Sequence, residues 1–162
     1  YQYEGNVKYE WGNSTPQEVV FRHWLSLMAG GYATHGEAIK INNNRDIFWT
    51  YGGEITGESA KRICFLKEIA QGCSFQDMEP DWRNTDGISY FSLARGDREY
   101  LLFFREDLPH KRIYPGNAKT GYYHYRVEVF DVWNCKKIKE YEIHKQTAFS
   151  PARWTAVRLT GI

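Results

Sequence analysis

Between residues 16 and 29 the apolar side chains recur at helical spacing, with Val20, Trp24, Leu27 and Met28 on one face. Thr15 is placed to cap this segment, Pro16 fills the first helical position where its missing N–H costs nothing, and Glu18 completes a capping box. Gly30 and Gly31 end it. A second helix is predicted at about residues 58–70, where Ile63, Leu66 and Ile69 share a face and Lys61, Arg62, Lys67 and Glu68 are left for water. Glu58, Ser59 and Arg62 belong to the start of that helix and are given no catalytic part. The stretch from Gly31 to Glu37 is short, glycine-bounded and rich in small residues, as a buried strand entering a functional loop would be. Residues 1–13 and 41–57 show neither period and are assigned to loops.

After a connector at about residues 72–86 the pattern changes. Ile88 to Leu93 and Tyr100 to Phe104 are aromatic, β-favouring runs joined around Gly96-Asp97, which predicts a hairpin. Tyr123, Tyr125, Val127 and Val129 alternate with polar residues until the phase slips to Phe130 and Val132, as a bulge or bend near Phe130 would produce. Strands are also predicted at Lys137–Ile143 and Thr155–Leu159, so the second half is all-β, in the manner of a small sandwich.

Charge changes the picture by exclusion. Lys plus Arg total 21 against 20 Asp plus Glu, so no net field favours nucleic acid or an anionic membrane. No apolar run is long enough to span a bilayer, and Tyr1 is neither an initiator Met nor the start of a signal-peptide charge region, so an upstream portion is expected. Cys64, Cys73 and Cys135 are too few and too irregularly spaced for a disulfide framework or a zinc site, and are expected to be free and mostly buried. That usage leans toward a bacterial cytoplasm and is also compatible with secretion. His110, His124 and His144 are far apart in sequence and no calcium-loop spacing occurs, so no metal or cofactor is expected. Twelve Tyr, nine Phe and six Trp supply planes that suit either a core or the face of a sugar.

A resemblance adds to this. Tyr3-Glu4-Gly5-Asn6, Trp11-Gly12-Asn13, Arg22 and Trp24 in the first helix, Gly30-Gly31-Tyr32 and Thr34-His35-Gly36-Glu37 resemble the final strands of the apiosidase-like (β/α)8 glycoside hydrolases. Trp49, Gly52-Gly53, Gly57-Glu58-Ser59 and Arg62-Ile63 continue it. Asp131-Val132-Trp133 and Ala156-Val157-Arg158-Leu159 are similar to the small C-terminal β-domain that follows the barrel in that family. The resemblance implies an α+β fragment: residues 1–71 as the end of a (β/α)8 barrel with two helices and short parallel strands, 72–86 as connector, and 87–162 as a small antiparallel β-sandwich supporting it.

It also implies a chemistry. Glycosidases need two carboxyl groups facing the scissile bond, and Glu4 and Glu37, each near the end of a presumed barrel strand, are the catalytic candidates, with a further carboxylate expected upstream of Tyr1. Tyr3, Asn6, Trp11, His35 and Trp49 are the candidates for holding the sugar. A structural reading stands beside each: Glu37 as an ion-pair or capping group, His35 as a satisfied core histidine, and the aromatics as a seal against the β-domain. The function implied is the C-terminal part of a hydrolase of poly- or oligosaccharides, against a non-catalytic carbohydrate-binding or structural module. Its partners would be the carbohydrate, the upstream barrel portion, and a second copy of the fragment, because a barrel remnant would leave the helix faces of Val20, Trp24 and Ile63 uncovered.

Overall fold

A computed structural model describes residues 2–4, 14–41, 44–47, 54–55, 57–109, 111–113, 115, 124–144 and 147–162. The first helix, α1 (Pro16–Met28), starts where Thr15 Oγ1 accepts the Glu18 N–H at 3.2 Å, while the Glu18 carboxylate pairs with Arg22 instead of reaching back to the cap. The second, α2 (Ser59–Gln71), begins at Glu58 without a side-chain cap. Around them run strands β1 (Gln2–Glu4), β2 (His35–Ile41), β3 (Asn44–Ile47) and β4 (Glu54–Ile55). Then follow β5 (Glu79–Pro80), β6 (Tyr90–Arg95), β7 (Glu99–Phe104), β8 (Lys111–Ile113), β9 (Tyr125–Asp131), β10 (Lys136–Ile143), β11 (Thr147–Phe149) and β12 (Thr155–Gly161). Residues 2–4, expected in a loop, therefore include a strand, and β3 and β4 fall within the expected loop 41–57.

One sheet dominates: β10-β9-β12-β7-β6-β5, every neighbour antiparallel. The turn between β6 and β7 uses Gly96 at φ 54°, the left-handed geometry that glycine adopts without strain. Alternation along the strands gives the sheet two apolar faces. Phe91, Leu93, Leu101, Phe103, Phe130 and Ala156 meet Val20, Trp24 and Met28 of α1 and Leu66 and Ile69 of α2 in one core. Trp24 stacks flat on Phe103, centroids 4.6 Å apart. Tyr100, Leu102, Phe104, Tyr125, Val127, Val157 and Leu159 form a second core on the opposite face.

The expected fold class is corrected by this arrangement. The chain is a mostly β, antiparallel fold with two helices among its described residues, not the parallel-stranded end of a barrel joined to a sandwich. The reason is burial on both sides of a single sheet. The unbroken buried runs at Tyr90–Ala94, Ser92 included, and Tyr100–Phe104 suit a sheet covered twice, and the cover on one face is helical, so no second sheet is needed there. In the smaller sheet β2 pairs antiparallel with β3 and β4, and parallel with β1 alone among the described residues.

Two local expectations change for the same reason. β9 carries Tyr125, Val127 and Val129 toward one core and Phe130 toward the other, so its change of phase is a regular strand between two cores. The irregularity lies opposite, where β10 shifts register between Lys137 and Lys139. Val20 and Trp24, expected to be uncovered, have no exposed surface at all.

Polar side chains tie α2 to the sheet. Arg62 is buried, lies 3.7 Å over the Trp133 ring and donates to the Trp133 carbonyl at 2.9 Å. Arg158 pairs with Glu128 directly across the β9–β12 ladder and donates to the Ile69 carbonyl at 3.3 Å. A Cβ on Gly72 would sit 1.6 Å from Arg158 Nη1, so any side chain there requires the Arg158 guanidinium to move.

Candidate functional site

The two candidate acids lie on neighbouring strands. β1 and β2 run parallel with Gln2 opposite His35, Tyr3 opposite Gly36 and Glu4 opposite Glu37. Adjacent strands are about 4.8 Å apart, so the backbones of Glu4 and Glu37 stand side by side. Asn6, Trp11 and Trp49 lie outside the described residues.

At the head of β2 the half-buried His35 ring meets His23 of α1 edge-on, centroids 5.8 Å apart. His23 sits 2.8 Å from the Val19 carbonyl through Nδ1, which must therefore carry the proton, and its buried Nε2 has no hydrogen-bond partner among the described residues. Burial holds its pKa below the ordinary value, and the nearby His35 pushes the same way. The neutral tautomer follows. His35 is thus packed against a histidine of the helix.

Beside His23 a groove of about 780 Å³ opens between the C-terminal ends of α1 and α2. Leu27, Tyr32, Ile63, Cys73 and Phe75 also line it. Tyr32 is 87% exposed and meets Phe75 edge-on at 6.5 Å, while burial pushes the Cys73 thiol up to about 11. The expectation of mostly buried thiols does not hold: Cys64 is exposed and Cys73 and Cys135 are partly so.

Two polar clusters went unnoticed in the sequence. Arg83 bridges Asp81 at 3.0 Å and Asp97 at 3.3 Å, with the Tyr100 hydroxyl donating to Asp97 at 3.1 Å and the Tyr125 hydroxyl to the Asp97 carbonyl. Between Asp81 and Arg83, Trp82 is 80% exposed. At the open end of the β9–β10 hairpin, His124, Glu142 and His144 come together, their ligand atoms all within 4.8 Å of one another. Their isolation along the chain is therefore not isolation in space. The i, i+2 spacing of Glu142 and His144 was the one visible hint, since it puts both on one face of a strand.

With this geometry in hand, the chain can be set beside known proteins. It superposes over its whole length on a structure described as "a putative glycoside hydrolase" from Bacteroides vulgatus, with a TM-score of 0.75 and 26% identity. Over 92% of its length it also follows a glycoside hydrolase family 5 structure from the same organism, with a TM-score of 0.65 and 12% identity, a likeness of fold alone. Both neighbours bear glycoside hydrolase descriptions. The chain spans about a third of each, 35% and 36%. No family model matches it, and no curated protein does.

Proposed function

We propose that this chain is the C-terminal part of a glycoside hydrolase acting on poly- or oligosaccharides, with its six-stranded sheet as structural support. The observation that carries this reading is the register pairing of Glu4 with Glu37 on adjacent parallel strands. Register-paired residues on parallel strands about 4.8 Å apart stand on the same face of a sheet, which suits two acids serving one cleft; a carboxyl separation of about 5–5.5 Å would serve retention and a wider one inversion. The likeness to glycoside hydrolase structures supports the same class. In this reading Glu4 and Glu37 are the catalytic carboxyl groups contributed by this chain, and Tyr3, Asn6, Trp11, His35 and Trp49 contact the sugar. The upstream portion of the same protein completes the site.

The test uses the whole protein on a panel of oligosaccharides. Glu4→Gln and Glu37→Gln should each lower kcat by about 100-fold or more, the contribution of a positioned acid or base, with folding unchanged by circular dichroism. Full activity in both variants overturns the assignment.

A second reading, a non-catalytic carbohydrate-binding module, draws support from Tyr32 and Trp82, which stand 87% and 80% exposed. Calorimetric sugar binding that survives both Gln substitutions and is lost in Trp82→Ala would favour the module.

A further inference from the structure

We propose that His124, Glu142 and His144 form a binding site for a divalent transition-metal ion of the zinc type. His124 directly precedes β9 and His144 directly follows β10, one step beyond the paired residues Tyr125 and Ile143, so the two imidazoles face each other across the end of the ladder. Their rings stack with centroids 4.1 Å apart and planes 29° from parallel. Glu142, two residues before His144 on the same strand face, reaches His124 Nε2 at 2.8 Å.

The donor set is what points to the ligand. Two imidazoles and one carboxylate are the ligands zinc takes in sites that keep an open position, and cobalt, nickel and copper accept the same set. Bonds of about 2.0–2.2 Å to a tetrahedral ion separate neighbouring donors by about 3.4 Å. The three donors, within 4.8 Å of each other, close on such an ion by side-chain rotation alone. An ion pair between His124 and Glu142 uses one imidazole and leaves the stacked His144 ring unexplained, whereas an ion between the donors engages all three.

The site is held from behind. The Ile162 N–H donates to the His124 carbonyl at 3.0 Å, joining this end of β9 to the end of β12. β10 is an edge strand of the sheet, as β5 is at the other side, so an ion bridging His124 and His144 would clip a strand that pairs with β9 alone among the described residues. The fourth coordination position faces outward, because Glu142 and His144 are exposed, and is open to water or to an incoming donor. This site is separate from the paired acids of β1 and β2, and a result here bears on neither reading of those.

Titration of the chain with zinc chloride by calorimetry, and with cobalt chloride by visible absorption, tests it. One equivalent is expected with micromolar affinity, a rise in Tm on saturation, and a cobalt spectrum of nitrogen and oxygen ligation without thiolate bands. His124→Ala, His144→Ala and the surface-conservative Glu142→Gln should each weaken zinc binding by at least about tenfold, with unchanged circular dichroism. Millimolar or weaker binding overturns the site, as does affinity that the His124→Ala/His144→Ala double variant leaves unchanged.

Discussion

The two faces of the six-stranded sheet both bury apolar side chains and are held in different ways. On the helix side, Trp24, Phe91, Phe103, Leu66 and Ile69 interlock, and the charged groups there, Arg62 and Arg158, lie over the rings of Trp133 and Phe130 and bond the Trp133 carbonyl and, for Arg158, the Ile69 carbonyl and Glu128. On the other side the aromatic residues include Tyr90, Tyr100 and Tyr125, and the hydroxyls of the last two reach out of the core to the Asp97 turn. One face is fastened by shape between separate elements, the other by hydrogen bonds at its rim. Losing a ring should therefore cost most on the first face, and losing a hydroxyl should matter on the second alone.

The largest effect belongs to Trp24→Ala. The indole has no exposed surface and stacks on Phe103, so its removal leaves a cavity between α1 and the sheet that the strands cannot close. A loss of about 3–5 kcal/mol is expected from denaturant titration. A loss near 1 kcal/mol would mean that the helix contributes little to this core.

Gly72→Ala comes next and separates space from backbone geometry. Gly72 has φ −78°, which alanine adopts readily, so only the contact with Arg158 opposes the methyl group. Arg158 would have to leave the Ile69 carbonyl and loosen its hold on Glu128, at about 1–3 kcal/mol. Pairing this change with Arg158→Ala in a double-mutant cycle should show strong coupling; simple additivity would contradict the mechanism.

On the opposite face, Tyr125→Phe keeps the ring and deletes the hydroxyl that donates to the Asp97 carbonyl. About 1 kcal/mol should be lost, well short of the Trp24 change. A similar cost is expected for Thr15→Ala, which removes the side-chain cap of α1, while Glu58→Ala at the start of α2 removes no cap bond and should cost about 0.5 kcal/mol, through the mostly exposed carboxylate's ion pair with Arg62 at 3.4 Å.

That last pair also explains what could be seen in advance. α1 was placed within a residue because its signals are local: Thr15 and Pro16 open it and Gly30 closes it. The β6–β7 hairpin was likewise visible in two apolar runs around Gly96. What covers those runs is a non-local matter, and nothing in the Tyr90–Phe104 pattern says whether helices or a second sheet will lie on top. The three residues of β1 are too few to show any period. The candidate acids Glu4 and Glu37 were singled out by resemblance, and their pairing required the register of two strands separated by a helix. His124, Glu142 and His144 were missed because 18 residues separate the first two, a gap that only the pairing of β9 with β10 closes.

The smallest effect on stability probes the end of α2, where the helix-side core meets the groove. Burial raises the Cys73 thiol, just past the end of α2, from 9.0 to about 11, against a partial offset from Arg158, whereas Cys64 within α2 is exposed. A raised thiol pKa means that the folded state binds the proton more tightly than the unfolded chain does. The stabilisation is then fully present below pH 9 and is lost as pH rises through 11. Because the thiolate is the reactive form, an alkylating reagent at pH 8 should label Cys64 and leave Cys73 almost untouched. The Cys73 rate, followed by mass spectrometry, should climb only as the pH approaches 11. Equal labelling of the two at pH 8 would show that the end of α2 opens readily, and that the helix-side face is looser at the groove than its packing around Trp24 implies.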